Sequence, residues 1–109
     1  MNPLIDSRKL LLVLAALLGL AFSSASAKEL KILALGDSLT EGYGVEKEEA
    51  YPFLLEEALR EKGHDSVKVI NAGISGSTTA SARSRLKWYL RAKPAIMILA
   101  LGGNDGPRG

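Results

Sequence analysis

Cysteine is absent from the 109 residues, and histidine occurs once, at His64. Without thiols there is no disulfide staple, no thiolate metal site and no lipid-modified cysteine. An excess of one charge sign is missing as well: 14 Lys+Arg face 12 Asp+Glu, and so small a net charge supplies no field to recruit nucleic acid. The longest uncharged apolar stretch near the N-terminus, Leu10 to Phe22, has 13 residues, where a membrane span needs about 20. Neither a G-x-G-x-x-G nor a Walker pattern is present, which removes the commonest glycine-loop nucleotide sites. Internal repeats and low-complexity linkers are also lacking.

What is present is an ordinary globular composition, 47% hydrophobic and 24% charged, which excludes disorder and collagen-like repeats. Residues 1–27 read as a secretory signal peptide. Arg8 and Lys9 form its basic end, Leu10 to Phe22 its apolar core, and Ala25-Ser26-Ala27 a small-x-small cleavage site. Cleavage after Ala27 predicts a secreted or periplasmic protein with no stable membrane span. Losing Arg8, Lys9 and Asp6 with the leader leaves 12 Lys+Arg against 11 Asp+Glu over 28–109. A mature part this short, without disulfides, relies on a modest hydrophobic core.

Past Lys28 strand and helix patterns alternate. Leu30 to Leu35 is a short apolar run ended by Gly36, as in a strand buried on both faces. Pro52 suits the first turn of a helix, and Phe53 to Lys62 puts Leu55, Ala58, Leu59 and Lys62 near one side before the Gly63 stop. Val67 to Asn71 reads as a second strand. A helix from about Thr79 to Ala92 has Ala82, Leu86, Tyr89 and Leu90 as its apolar stripe, ended by Lys93-Pro94. Trp88 beside it fits either core or surface. Ala95 to Leu101 is a third strand. Strand, helix, strand, helix, strand with short links implies a parallel sheet covered on both faces. The uncharged third strand belongs inside a sheet, so its free side would be a bare, aggregation-prone edge. The expectation is therefore that these residues are the front part of a longer domain.

In a parallel sheet the strand C-termini share one edge, where ligands and chemistry gather. Each strand here runs into a small polar loop: Gly36 to Thr40, Asn71 to Thr79, and Gly102 to Gly106. Each loop also has a plain structural reading. Ser38-Leu39-Thr40-Glu41 matches a capping box, Ser77, Thr78 or Thr79 would cap the second helix, and Asn104-Asp105-Gly106 would be a turn. Asp37 fits best as a turn-shaping carboxylate. Together, however, the loops offer a hydroxyl at Ser38, close-approaching backbone amides around Gly76, and a neutral carboxamide donor at Asn104. A nucleophile ringed by neutral donors is what a tetrahedral oxyanion requires.

"GDSLT" at Gly36 to Thr40, "NAGISGSTT" with Gly76, and "GGND" at Gly102 to Asp105 resemble the first three sequence blocks of the SGNH hydrolases, also called GDSL esterases and lipases. They occur in the family's order, and the similarity runs from about Lys31 to the last residue. It is closest to the bacterial periplasmic thioesterases, arylesterases and lysophospholipases. The resemblance implies a flavodoxin-like three-layer α/β/α sandwich, sheet order 2-1-3-4-5, of which only 2-1-3 is present. It implies Ser38 as the nucleophile, with the amides of Ser38 and Gly76 and the Asn104 side chain as the oxyanion hole. The partner would be a small-molecule acyl ester or thioester, including lysophospholipids. No metal or organic cofactor is implied.

In that family the general base is a histidine in a late Asp-x-x-His block, and these residues contain no such block. His64 falls between the first helix and the second strand, at the far end of the sheet from Ser38. A five-residue strand spans roughly 17 Å, against about 3 Å for proton transfer. These 109 residues alone are therefore expected to be inactive. The alternative class is a non-catalytic flavodoxin-like module that holds an anionic ligand in the same loops. Arg83, Lys87 and Arg91, at i, i+4 and i+8, read as the solvated face of the second helix.

Overall fold

The computed structural model describes residues 6–14 and 28–108. Residues 7–14 are helical and exposed; the cleavage site at Ala25 to Ala27 lies outside the described residues. Among those described, no helix is long and apolar enough to cross a membrane.

Three parallel strands form one sheet in the order β2-β1-β3: β1 is Leu30–Gly36, β2 Val67–Gly73 and β3 Ile96–Ala100. The first strand in sequence is thus the central one. Leu30 pairs with Val67 and Gly36 with Gly73 on one side, while Ile32 pairs with Ile96 and Gly36 with Ala100 on the other. Ile32, Leu33, Ala34 and Leu35 are all buried, as an apolar run without alternation requires.

Helices cover both faces of β1 and β2, whereas Ile96, Met97 and Leu99 of β3 stay exposed. Leu33, Leu35, Ala72 and Ala82 form the core cluster, and Ile70, Leu86, Tyr89 and Leu101 pack against it. Helix α3, Thr79–Tyr89, lies on this face. Val69 and Asn71 alternate with Ile70 and Ala72 and so point the other way. They share a cavity with Pro52, Phe53 and Glu56 of α2, Tyr51–Glu61. The Glu56 carboxylate accepts a hydrogen bond from the Val69 amide at 2.8 Å and so occupies a donor on the free edge of β2. Two one-turn helices follow strand ends, α1 at Ser38–Glu41 and α4 at Asp105–Arg108. The fold is an α/β sandwich with the expected 2-1-3 sheet.

The element boundaries differ from expectation in physical detail. Helix α2 starts at Tyr51, with Pro52 in its first turn and buried; Leu55 and Leu59 are half-buried, but Ala58 and Lys62 are exposed. The stripe of α3 loses Leu90, 51% exposed. A 3-10 turn over Leu90–Ala92 tightens the chain there and rotates Leu90 off the 3.6-residue period. Gly63, at φ 90°, ends α2 as the sequence implies, with the His64 amide reaching back to the Leu59 carbonyl at 2.9 Å. Arg83, Lys87 and Arg91 are exposed, as is Trp88, whereas Tyr89 packs on the core.

Candidate active site

Strand β1 ends at Gly36, and the chain turns at once into α1. Asp37, not Ser38, is the N-cap: its carboxylate accepts from the Leu39 amide at 3.1 Å. Its carbonyl takes the amides of Thr40 and Glu41 at 3.2 and 2.9 Å. Ser38 is therefore the first helical residue, and no hydrogen-bond partner engages its hydroxyl among the described residues. Gly42, at φ 89°, closes the turn, and the amides of Gly42 and Tyr43 both donate to the Ser38 carbonyl. The capping-box reading of Ser38 and Glu41 is corrected accordingly: Asp37 supplies the cap, and both side chains are released for other contacts.

Two glycines let this turn sit tightly on the sheet. A Cβ on Gly36 would lie 2.0 Å from the Thr40 hydroxyl, and one on Gly73 only 2.2 Å from the backbone nitrogen of Glu41. The ends of β1 and β2 thus approach α1 closer than any side chain would allow. Thr40 is fully buried and shares a hydrogen bond of 3.0 Å with the Tyr51 hydroxyl. Asn71 adds a latch, donating to the Thr40 carbonyl at 3.0 Å and accepting from the Gly73 amide at 2.9 Å.

The second loop is tied to the first by Ile74, whose amide donates to the Gly36 carbonyl at 3.1 Å. Residues Ile74 to Ser77 then form a four-residue turn, closed by the Ser77 amide on the Ile74 carbonyl at 3.1 Å, with Gly76 at φ 79°. That φ is what the third position of a type II turn demands, and glycine adopts it without strain. Thr78 caps α3 in a reciprocal pair with Ser81, which settles the choice among the three hydroxyls.

The third loop docks on the second. Asp105 accepts from the Thr79 amide at 3.0 Å and the Thr79 hydroxyl at 2.8 Å, so it is more than a turn residue. Asn104 Nδ2 donates to the Ser77 carbonyl at 3.0 Å, which leaves the second hydrogen of that amide free to donate elsewhere.

Ser38, Gly76 and Asn104 consequently line one open cleft of about 410 Å³, together with Tyr43 and Ser75. Among the described residues no protein group takes the Gly76 amide. Size does not single this cleft out, since an apolar groove between α3 and β3 measures about 430 Å³; convergent unengaged donors do. Among the described residues no three His, Cys, Asp or Glu side chains cluster to hold a metal ion. His64 is exposed beside the start of β2, at the opposite sheet edge.

Sequence reasoning overlooked Arg85. It lies three residues from Ala82, on the packed face of α3, and a charge on an apolar stripe is itself a signal of a buried partner. Its guanidinium donates to the Ala72 carbonyl at 2.9 Å, the Ser77 hydroxyl at 2.5 Å and the Gly36 carbonyl at 3.4 Å, bridging the ends of β1 and β2. Glu41 was also misassigned: its carboxylate accepts from both the amide and the hydroxyl of Ser75.

Comparison with known proteins agrees with this geometry. The model of the GDSL-like lipase/acylhydrolase family matches residues 34–109. An arylesterase of Vibrio mimicus is 44% identical over 98 residues, covering 89% of this chain and 48% of that protein. Esterase TesA of Pseudomonas aeruginosa is 37% identical over 99 residues, covering 90% and 49%. Among solved structures, the SGNH-hydrolase family esterase AlinE4 superposes with a TM-score of 0.67 at 49% identity, covering 76% of this chain and 45% of that one. The chain spans about half the length of the curated relatives it matches.

Proposed function

Because this chain belongs to the GDSL-like lipase/acylhydrolase family, we propose that it carries the nucleophile and oxyanion hole of a serine esterase or thioesterase. Residues 28–109 form the N-terminal portion of the hydrolase domain, and residues 1–27 direct it to the periplasm or the exterior. The substrate is a small acyl ester or thioester: an aryl ester, an acyl thioester or a lysophospholipid.

Support comes from one observation above all: the Ser38 hydroxyl and the Gly76 amide, both unengaged among the described residues, face one cleft with Asn104. In the reaction Ser38 Oγ bonds to the acyl carbonyl carbon, and the carbonyl oxygen gains the negative charge. The amides of Ser38 and Gly76 and the free Asn104 hydrogen donate to that oxygen. The carbon–leaving-group bond then breaks, and water releases the acyl group from Ser38. Neutral donors stabilise the charge without holding an ionised product tightly.

The proton on Ser38 still needs an acceptor within about 3 Å, and these residues offer no histidine at that edge. The base comes from polypeptide outside them, and the 109 residues by themselves are inert. A chimera joining this chain to the part of the Vibrio mimicus arylesterase beyond the match tests both statements. We expect the chimera to hydrolyse p-nitrophenyl acetate and to label with a fluorophosphonate, both lost in Ser38→Ala, while the chain alone does neither. A chimera that melts cooperatively yet resists labelling would refute the esterase reading.

A further inference from the structure

The Glu41 carboxylate joins two loops that lie 34 residues apart in sequence, accepting from the Ser75 amide at 2.8 Å and also from the Ser75 hydroxyl. Glu41 sits one helical turn after Ser38 in α1. Ser75 directly precedes Gly76, and both line the cleft with Ser38. We propose that Glu41 is a positioning residue: it holds the Ser75–Gly76 peptide at a fixed distance and orientation from Ser38, so that the Gly76 amide is aimed at the oxyanion before substrate arrives. This rests on the esterase reading of the cleft.

The turn needs such a tether. A four-residue turn has one internal bond, here Ser77 to Ile74, and its central peptide is free to flip between type I and type II orientations. A flip would carry the Gly76 amide away from the cleft. Gly76, which adopts φ of either sign readily, does not oppose that flip by itself. Glu41 fixes where that peptide starts by binding the amide and hydroxyl of Ser75 with one carboxylate oxygen, which keeps the turn from drifting away from Ser38. Asn71, Gly73 and the buried Thr40 fix the backbone from which Glu41 extends, so the tether is anchored at both ends. Glu41 touches neither the nucleophile nor the reacting atoms, and its effect is on geometry alone.

Both Ser75 bonds end on one carboxylate oxygen, so a glutamine with its side-chain oxygen in that place still accepts from the Ser75 amide and hydroxyl. An alanine keeps neither bond. Two measurements follow, one on the 109-residue chain and one on the chimera described above. In the chain, hydrogen exchange at the Ser75 amide should accelerate at least about tenfold in Glu41→Ala and stay near wild type in Glu41→Gln. In the chimera, Glu41→Ala should lower kcat by about 10- to 100-fold with KM little changed, as loss of a contact realised in the transition state does. Glu41→Gln should restore kcat to within about threefold of wild type. Counting only sites titrated by fluorophosphonate removes any unfolded fraction from kcat.

An unchanged kcat per titrated site in Glu41→Ala would overturn the proposal. So would a glutamine variant as impaired as the alanine one, because then charge rather than geometry is at work. An inert wild-type chimera would instead count against the esterase reading, and the exchange at Ser75 would still decide whether the tether exists.

Discussion

At the scale of single residues, the turn that carries Ser38 depends on what is missing from its neighbours. Gly73→Ala places a methyl carbon against the Glu41 backbone nitrogen, which cannot swing aside as a side chain would. Overpacking of this kind typically costs about 1–3 kcal/mol. Gly63→Ala makes a useful contrast: its φ is 90°, but a Cβ there meets nothing within 4 Å, so only the left-handed penalty of roughly 1–2 kcal/mol applies. Urea titration of both variants should show the larger loss at Gly73, together with loss of fluorophosphonate labelling in the chimera. Asn104→Ala removes one of the proposed oxyanion donors, and in the chimera kcat should fall by about 10² to 10³. That Ser38, Gly76 and Asn104 meet at one cleft was legible in the sequence because each sits in a short block next to a strand end. The cap was not: Asp37 and Ser38 are both good caps, and nothing local decides between adjacent residues. Contacts such as Glu41 to Ser75 were equally invisible, since a periodicity argument carries no information about partners dozens of positions away.

Among the elements, α3 matters for more than covering the sheet. Its Arg85 reaches the carbonyls at the ends of β1 and β2 and the hydroxyl of Ser77, while its first turn receives Asp105 from the third loop. One helix thus ties together the three loops that meet at the cleft. Arg85→Met keeps the stem but strips donors from partly buried acceptors, which typically costs about 1–3 kcal/mol. Urea midpoints should show that loss, whereas Arg83→Met, at an exposed neighbour, should be nearly silent. Strand and helix order could be read directly from apolar runs and periodicity, and the parallel 2-1-3 sheet agrees with it. The helix ends could not. The 3-10 turn at Leu90–Ala92 leaves no mark in a 3.6-residue pattern, and it was this turn that moved Leu90 to the surface.

For the molecule as a whole, the two sheet edges are unequal. The β2 edge carries Glu56 on one of its donors. Beside β3 no further strand pairs among the described residues, and Ile96, Met97 and Leu99 are 50%, 44% and 62% exposed. An apolar, uncharged, unpaired strand recruits other strands. Residues 28–109 should therefore associate as concentration rises, measured by light scattering, and Leu99→Lys should suppress this by placing a charge on the edge. Appending the arylesterase part, as in the chimera, should suppress it as well.

The central place of β1 has a bearing on how the polypeptide is made. Synthesis delivers the N-terminal side of a domain first, so of these three ribbons the one that leaves the ribosome first is the one to which the other two zip. The sheet can grow outward from a seed already in place, and no newcomer has to wedge itself between two strands that have already joined.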